Sequence, residues 1–174
     1  MRHLRTAIHP DLHTLSQFQS ITRRASRAIA TSGENILLIY TEKYDDYTLP
    51  GGGLEEGEDP IAGMIRELEE ETGAKNIRNI ENFGIYEEFR PWYKSDAQVM
   101  HMISFCYICT VDAELGETRL EHYEVENGSR PVWVNVHQAI EHNETILLQS
   151  HQKGLSIERE TFLLRLVADE IMGY

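Results

Sequence analysis

The feature that most constrains the fold is a helix whose two ends are specified by the residues beside it. Asp59 suits an N-cap, and Pro60 suits the first helical position, where a missing N–H removes no hydrogen bond. Gly73 suits the left-handed conformation that ends many helices. The pattern predicts a helix over residues 60–71. Its apolar residues share one arc of a helical wheel, the arc expected to face a core: Ile61, Met64, Ile65 and Leu68.

Carboxylates gather on a second arc of the same helix. Glu67, Glu70 and Glu71 share one line of surface, about 120° from the apolar arc. The stretch from residue 55 to residue 71 holds eight acids and a single base, Arg66, so no lysine relieves the repulsion. The acids also lie at the end of the helix that its dipole disfavours for negative charge. The pattern indicates a bound cation such as Mg2+, whose preferred ligands are oxygens; a solvated acidic surface is the alternative.

Three consecutive glycines lie between a short predicted strand and this helix. In "LPGGGLEE", Gly51, Gly52 and Gly53 follow Pro50, where the strand ends. Glycine allows the backbone to approach a ligand closely. Free N–H groups could then face phosphate oxygens, and a free carbonyl could join a metal ion. For this segment taken alone, a plain tight turn is the alternative.

Length and charge exclude several classes of protein. A chain of 174 residues favours one domain. Its 29 acids and 16 bases leave a net charge of −13, which disfavours binding to a phosphate backbone. We see no signal peptide and no apolar run long enough for a membrane span. We therefore expect a cytoplasmic protein that forms no stable nucleic-acid complex and contacts no membrane.

We expect the first 20 residues to form a basic arm that is poorly ordered or peripheral, and we assign residues 21–174 to one domain. Before Glu34 the only acid is Asp11, against five arginines. Transit peptides have such a composition, but the arm leads directly into a predicted strand, which favours a structural role. The arm and an exposed first strand together predict a homodimer.

Strands alternate with helices along the rest of the chain, as in an α/β or α+β domain. Strands are predicted over residues 24–31, 36–41, 79–89, 99–111 and 131–136, an acidic loop over 120–130, and helices over 137–143 and 157–171. Cys106 and Cys109 lie within one strand, where residues three apart point to opposite faces. We interpret the pair as buried, inert thiols.

The acidic helix and its flanks resemble a known family motif. Gly52, Glu58, the run 66–71 and the pair 73–74 have the spacing G-x5-E-x7-R-E-L-x-E-E-x-G-A. This resembles a complete Nudix box, the motif of the Nudix hydrolases, which include MutT-like proteins. The resemblance implies an α/β/α sandwich with a mixed sheet and the box as loop–helix–loop. It also implies a pyrophosphohydrolase dependent on Mg2+ or Mn2+, which cleaves a nucleoside diphosphate linked to another moiety. Nucleotide sugars, nucleoside triphosphates and dinucleotides are substrates of this type.

The resemblance assigns roles within the box. Glu67, Glu70 and Glu71 are implied as metal ligands, helped by the carbonyl of Gly52 or Gly53. Glu67 and Glu70 are both candidates for the base that takes a proton from the attacking water. Two further residues, Arg66 and Glu58, are implied to hold the carboxylates in place.

The family often adds one more acid from a loop near a strand that contains tryptophan. In the loop before Trp133 we favour Glu126 as this catalytic acid, followed by Glu124; a solvated acidic loop is the alternative.

Substrate contacts are expected from the three glycines, from Arg27 toward phosphates and from Tyr47 by stacking on a base. Pro91 and Tyr93 lie close to, but not at, positions that mark particular substrates in the family, so the small nucleotide substrate is not specified. A nucleotide or ADP-ribose sensor without turnover is the alternative function. Such domains usually lose box glutamates, whereas this chain keeps all of them. The helix also carries Gly63 where the family usually has alanine.

Overall fold

A seven-stranded mixed sheet forms the centre of the protein in a computed structural model that describes residues 1–14, 19–94, 96–151 and 153–173. Its strands are β1 (His3–Ile8), β2 (Ser20–Ser32), β3 (Asn35–Thr41), β4 (Asp46–Thr48), β5 (Arg78–Pro91), β6 (Val99–Thr110) and β7 (Ser129–Asn135). The α-helices are α1 (Pro60–Thr72), α2 (His122–Glu126), α3 (Val136–Gln149) and α4 (Ile157–Glu170), and a short 3-10 helix spans Pro10–Thr14.

The long strand β2 joins the two halves of the sheet. Along residues 20–30 it pairs in parallel with β6, which in turn pairs with β5 and through it with β1. Its last two residues pair antiparallel with β3 across a two-residue turn, where Gly33 has φ 59°. β3 also pairs antiparallel with β4 and β7. The sheet is therefore mixed, as expected.

Alternation along the strands divides the core into two layers. Ala28 and Ala30 of β2 pack beneath α1, whereas Ile29 between them packs against α3 and α4. Successive side chains of a strand point to opposite faces, so one strand supplies both layers. Helices cover both faces, which confirms the expected sandwich.

Cys106 and Cys109 illustrate the same alternation. Both thiols are free and buried, and they belong to different layers of the core. Burial raises the pKa of Cys106 to about 12 and that of Cys109 to about 11. Both therefore stay protonated at neutral pH, as the interpretation of inert thiols requires.

The ends of α1 lie where the sequence predicts them. Asp59 Oδ1 accepts the N–H groups of Ile61 and Ala62 at 3.0 Å each, and Gly73 takes the left-handed conformation with φ 66°. Ile61 is an exception to the predicted apolar arc, since it is 37% exposed. The helix packs on the sheet through its later turns, so its first-turn isoleucine faces outward.

Gly63 of α1 has a packing reason. A Cβ atom there would collide with the side chain of Leu54 and lie 3.1 Å from the carboxylate of Glu58. The segment that precedes the helix thus lies directly on it, which leaves room only for glycine unless Leu54 moves.

The arm is part of the sheet. Residues 3–8 form the edge strand β1, parallel to β5, and Leu4 and Ala7 pack on the core. The guanidinium of Arg2 pairs with Glu170 of α4. Residues 3–8 are therefore ordered, at the edge of the sheet, so poor order is wrong for them; residues 15–18 lie outside the described part. The boundary at residue 20 stays a prediction.

Other differences concern the first predicted strand and the acidic loop. Residues 24–31 belong to β2, which is interior to the sheet, so the exposed strand invoked for a homodimer is not there. The homodimer stays a prediction.

Residues 122–126 form a short helix instead of a loop, because Glu124 Oε2 accepts the N–H of Glu121 at 2.7 Å and caps the first turn of the helix.

No helix in the described ranges combines the length and the apolar character needed to cross a bilayer.

Asp46 of β4 is a buried carboxylate that offers a test of this packing. It is 2% exposed, and its Oδ1 has no hydrogen-bond partner among the described residues. Burial raises the pKa of Asp46 to about 6, and the charges of Glu160 and Asp45 add to the effect. The folded protein therefore holds this proton more tightly than the unfolded chain does.

We expect Asp46→Asn to raise the free energy of unfolding near neutral pH. Between an ordinary Asp pKa of about 3.9 and about 6, the folded state binds more protons, so wild-type stability falls as pH rises through this window. The variant lacks this fall and should be more stable by about 2 kcal/mol near pH 7.5, with less gain near pH 4.5. Urea unfolding at both pH values measures it. Glu117→Gln, at an exposed carboxylate, is the control; an equal gain at both pH values would contradict the explanation.

Candidate functional site

Arg66 of α1 brings the acids of the helix together. Its Nε and Nη2 donate to Glu58 at 2.9 and 3.1 Å, in the forked geometry that guanidinium groups favour. Its Nη1 donates to Glu67 at 2.7 Å and to Glu70 at 3.3 Å. One cation therefore spans three carboxylates, and Arg66 and Glu58 lie where they can hold Glu67 and Glu70.

The carboxylates around Arg66 differ in their electrostatics. The hydrogen bond from Arg66 lowers the pKa of Glu58, and the backbone N–H of Glu55 adds to the effect. Burial raises the pKa of Glu67; Arg66 opposes this, while the charges of Glu70 and Glu124 reinforce it. Negative charge is thus in excess on the side of the helix that carries Glu67.

Glu71 faces away from Arg66 and toward the glycine loop, residues 50–53. It is 9% exposed, and its Oε2 accepts the N–H of Gly51 at 2.6 Å. Burial raises the pKa of Glu71 well above its usual range, and the negative charges of Glu124 and Glu67 reinforce it. Of the three predicted ligands on α1, Glu71 is therefore hydrogen-bonded to the loop.

Each of the three glycine carbonyls of the loop accepts a hydrogen bond. Gly51 accepts from Arg27 Nη1 at 2.5 Å, Gly52 from the N–H of Ser26 at 3.0 Å, and Gly53 from Arg66 Nη2 at 3.3 Å. The expectation of a free carbonyl is therefore wrong, although a carbonyl oxygen keeps a second lone pair for another partner. The N–H of Gly51 is also occupied, by Glu71.

Gly52 lies directly against a predicted ligand. A Cβ atom at this position would be 2.6–2.7 Å from the carboxyl carbon and both oxygens of Glu67. At Gly53 the nearest atom to such a Cβ would be Arg23 Nη2, 3.9 Å away. The close approach of backbone and carboxylate thus requires glycine at position 52.

Arg27 and Tyr47, both expected to contact substrate, contact other parts of the protein. Arg27 is partly buried and holds the carbonyl of Gly51, and its contact with phosphates stays a prediction. The ring of Tyr47 packs between Tyr40 and His142, with centroids 5.2 Å away in each case. Its N–H donates to Asn143 at 2.9 Å. Tyr47 therefore belongs to the packing between β4 and α3, which corrects the expectation of a stacking residue.

Glu124, instead of the favoured Glu126, turns toward the acids of α1. Glu124 is 9% exposed, and its charge raises the pKa of both Glu67 and Glu71. The side chain of Glu126 is 66% exposed and pairs with His122, one turn earlier on α2. Residues 122 and 126 lie on one side of a helix, which is why they can pair. The sequence did not predict this short helix, and because of it Glu124, and not Glu126, faces the acids of α1.

A cleft of about 500 Å³ opens beside Glu71 and Glu124. Both acids line it, together with aromatic, cationic and polar side chains from four separate segments: Tyr44, Asp46, Thr48, Arg90, Tyr123, Asn127, Ser129, Lys153 and Ser156. Clefts of this size bind small-molecule ligands. Sequence reasoning missed most of these residues, since only the folded sheet brings their segments to one place. The pair Asn127-Gly128, which is typical of turns, is a sequence signal that the acidic segment ends there and that a strand follows.

The donor set fits a hard divalent cation. Glu67, Glu70, Glu71 and Glu124 supply carboxylate oxygens, and their excess negative charge is what raises two of the pKa values beyond the effect of burial. Among the described residues, no three acids, histidines or cysteines are already arranged to hold a metal ion. Instead, the guanidinium of Arg66 donates hydrogen bonds to Glu67 and Glu70.

Comparison with known proteins identifies the family of the chain. The model of the NUDIX domain family matches residues 22–154. An RNA pyrophosphohydrolase of Bartonella quintana is 41% identical over 56 residues, which are 32% of this chain and 29% of that protein. The chain thus matches less than a third of that relative's length.

Solved structures show the same fold. A mutator MutT protein of Bacillus halodurans superposes with a TM-score of 0.59 and 18% identity, over 87% of this chain and 83% of that one. A Nudix hydrolase of Nitrosomonas europaea gives a TM-score of 0.57 and 18% identity, over 88% and 97%. With the complete box on α1 and a family match over most of the chain, this protein belongs to the Nudix hydrolase family.

Proposed function

We propose that the protein is a metal-dependent pyrophosphohydrolase that cleaves a nucleoside diphosphate linked to another moiety. The observation that carries the proposal is a cleft lined by Glu71 and Glu124, with Glu67 close enough to both for the charges to interact. Glu67, Glu70 and Glu71 come from α1 and Glu124 from α2, and two of them line the cleft.

In this proposal the carboxylates hold Mg2+ or Mn2+. Bound there, the ion would neutralise the pyrophosphate oxygens and activate phosphorus toward water. Glu67 or Glu70 takes the proton of the attacking water. Arg66, paired with Glu58 on one side, keeps both carboxylates within reach of the glycine loop.

The cleft is proposed to take the nucleoside part of the substrate. Tyr44 and Tyr123 offer rings to a base, while Arg90 and Lys153 offer positive charge to phosphates. The Nε of Arg90 is buried and has no hydrogen-bond partner among the described residues. A phosphate or base oxygen in the cleft could supply that partner.

The substrate class is to be found by assay, and the matched relative adds one candidate. An RNA pyrophosphohydrolase acts on RNA, so a short RNA with a 5′-triphosphate belongs among the test substrates. The net charge of −13 makes a long nucleic-acid interface unfavourable, and we expect small nucleotides to be the better substrates.

The test is product release from a panel of substrates with Mg2+ or Mn2+. It includes oxidised and ordinary nucleoside triphosphates, ADP-ribose, sugar nucleotides, dinucleoside polyphosphates and the RNA. We expect turnover of one class, abolished by EDTA and lowered in Glu70→Gln by at least about 10-fold, since Gln keeps the shape and loses the charge. Binding of a nucleotide without any turnover would instead favour the sensor.

Gly52→Ala is expected to lower turnover by at least about 10-fold. The added methyl group would meet the carboxylate of Glu67 at 2.6 Å and displace it. Gly53→Ala is the matched control, since the same methyl group meets nothing closer than 3.9 Å. Steady-state kinetics of both variants measure the difference, and equal losses would show that the close approach at residue 52 is unimportant.

Glu124→Gln is expected to lose about 10- to 100-fold in turnover, whereas Glu126→Gln should stay close to wild type. The two residues lie on the same short helix, but Glu124 is buried beside Glu71 and Glu126 points to solvent. The same assay compares them. The opposite order would restore Glu126 as the fourth acid.

A further inference from the structure

Two buried charges lie at the start of α4, and one of them bonds to the backbone that leads into the glycine loop. Arg159 is 3% exposed and Glu160 is fully buried. Glu160 Oε2 accepts the N–H of Leu49 at 2.8 Å. Leu49 is the residue directly before the loop, so a side chain of the C-terminal helix fixes the backbone where the loop begins.

Both oxygens of Glu160 are in use. While Oε2 takes the N–H of Leu49, Oε1 accepts two donors of Arg159, Nε at 2.9 Å and Nη2 at 2.8 Å. Arg159 Nη1 donates a hydrogen bond to Glu88 of β5 at 2.6 Å. The buried charges thus form a paired chain from the sheet through Arg159 to the backbone before the loop.

Such a chain is a costly way to stabilise a fold. Desolvation of buried ions offsets much of their attraction, and well-packed apolar residues often stabilise a protein equally well. What a charged chain supplies is a defined position, because each donor and acceptor must meet at hydrogen-bond distance. In this protein the group held in a defined position is the backbone N–H of Leu49.

The position of Leu49 is transmitted over a short covalent path to the site. Pro50 follows with a fixed φ and no N–H of its own. Gly51 comes next, and its N–H donates to Glu71 at 2.6 Å while its carbonyl accepts from Arg27. A shift at Leu49 would therefore move the backbone N–H of Gly51, which holds Glu71.

We propose that Glu160 is a positioning residue for the reaction, which sets the place of the Gly51 N–H and through it the carboxylate of Glu71. Its effect on turnover rests on the proposed function, whereas its effect on the loop does not. Catalysis tolerates little displacement, since an error of about 1 Å costs about 100-fold in rate.

Glu160→Gln tests the proposal at nearly constant shape. An amide offers one acceptor oxygen where the carboxylate offers two, so its NH₂ group must face either Leu49 or Arg159, and both are donors. Thr161→Val is the matched control: Thr161 is the next residue of α4, is equally buried, and bonds only to the carbonyl of Ile157 among the contacts described.

Two readouts are compared, both in the intact protein. The first is amide hydrogen exchange of Gly51 in metal-free protein, which reports the loop without any reaction. The second is kcat and KM for the best substrate of the panel. For Glu160→Gln we expect exchange at Gly51 to be at least about 10-fold faster, and kcat to fall about 10- to 100-fold with a much smaller change in KM. Thr161→Val should change neither.

The outcomes separate this inference from the proposed function. If the wild type hydrolyses nothing, the proposed function fails, and exchange at Gly51 still decides whether Glu160 positions the loop. Unchanged exchange in Glu160→Gln, or changes that match those of Thr161→Val, would overturn the inference. Should Glu160→Gln not fold, Arg159→Lys keeps the cation but removes the fork on Oε1, and it should give smaller changes in the same direction; no change at Gly51 would again overturn it.

Discussion

The hydrogen bond from the Gly51 N–H to Glu71 is the contact on which the site depends. A buried carboxylate needs a donor, and this one lies at 2.6 Å. The bond ties the last turn of α1 to the glycine loop, where the carboxylate of Glu67 lies against Gly52. Arg27 holds the carbonyl of Gly51, and Glu160 holds the residue two before it. The loop is thereby positioned by β2 and α4 as well as by α1.

A single arginine, Arg66, relieves the repulsion between the acids of α1. Arg66 makes four hydrogen bonds to Glu58, Glu67 and Glu70, whereas a lysine offers three donors and no planar fork. Within the described part of the chain Glu71 and Glu124 form no ion pair with a cation, and the charge of Glu124 raises the pKa of both Glu67 and Glu71. The remaining charge faces the cleft, where a divalent cation and a polyphosphate would complement each other.

Local chemistry explains why so much of α1 could be predicted. Its caps depend on residues within a turn of each end, and its arcs depend only on the helical period. The alternation that separates Cys106 from Cys109 is equally local. By contrast, the choice between Glu124 and Glu126 depended on a five-residue helix that is stabilised by capping contacts at its first turn. Such a helix has too little periodicity to be recognised.

By itself, the sequence determined the acidic helix, its glycine loop and the set of carboxylates on one surface, because the spacing of neighbours along a helix is set by the backbone. Tertiary structure decided which residues complete the site. The sheet brought Asp46, Glu124 and Lys153 to one cleft, although they lie far apart along the chain. In the folded protein Tyr47 packs against Tyr40, and Glu160 bonds to the backbone directly before the glycine loop. These outcomes depend on contacts between distant segments, which strand pairing and core packing fix and which no local pattern encodes.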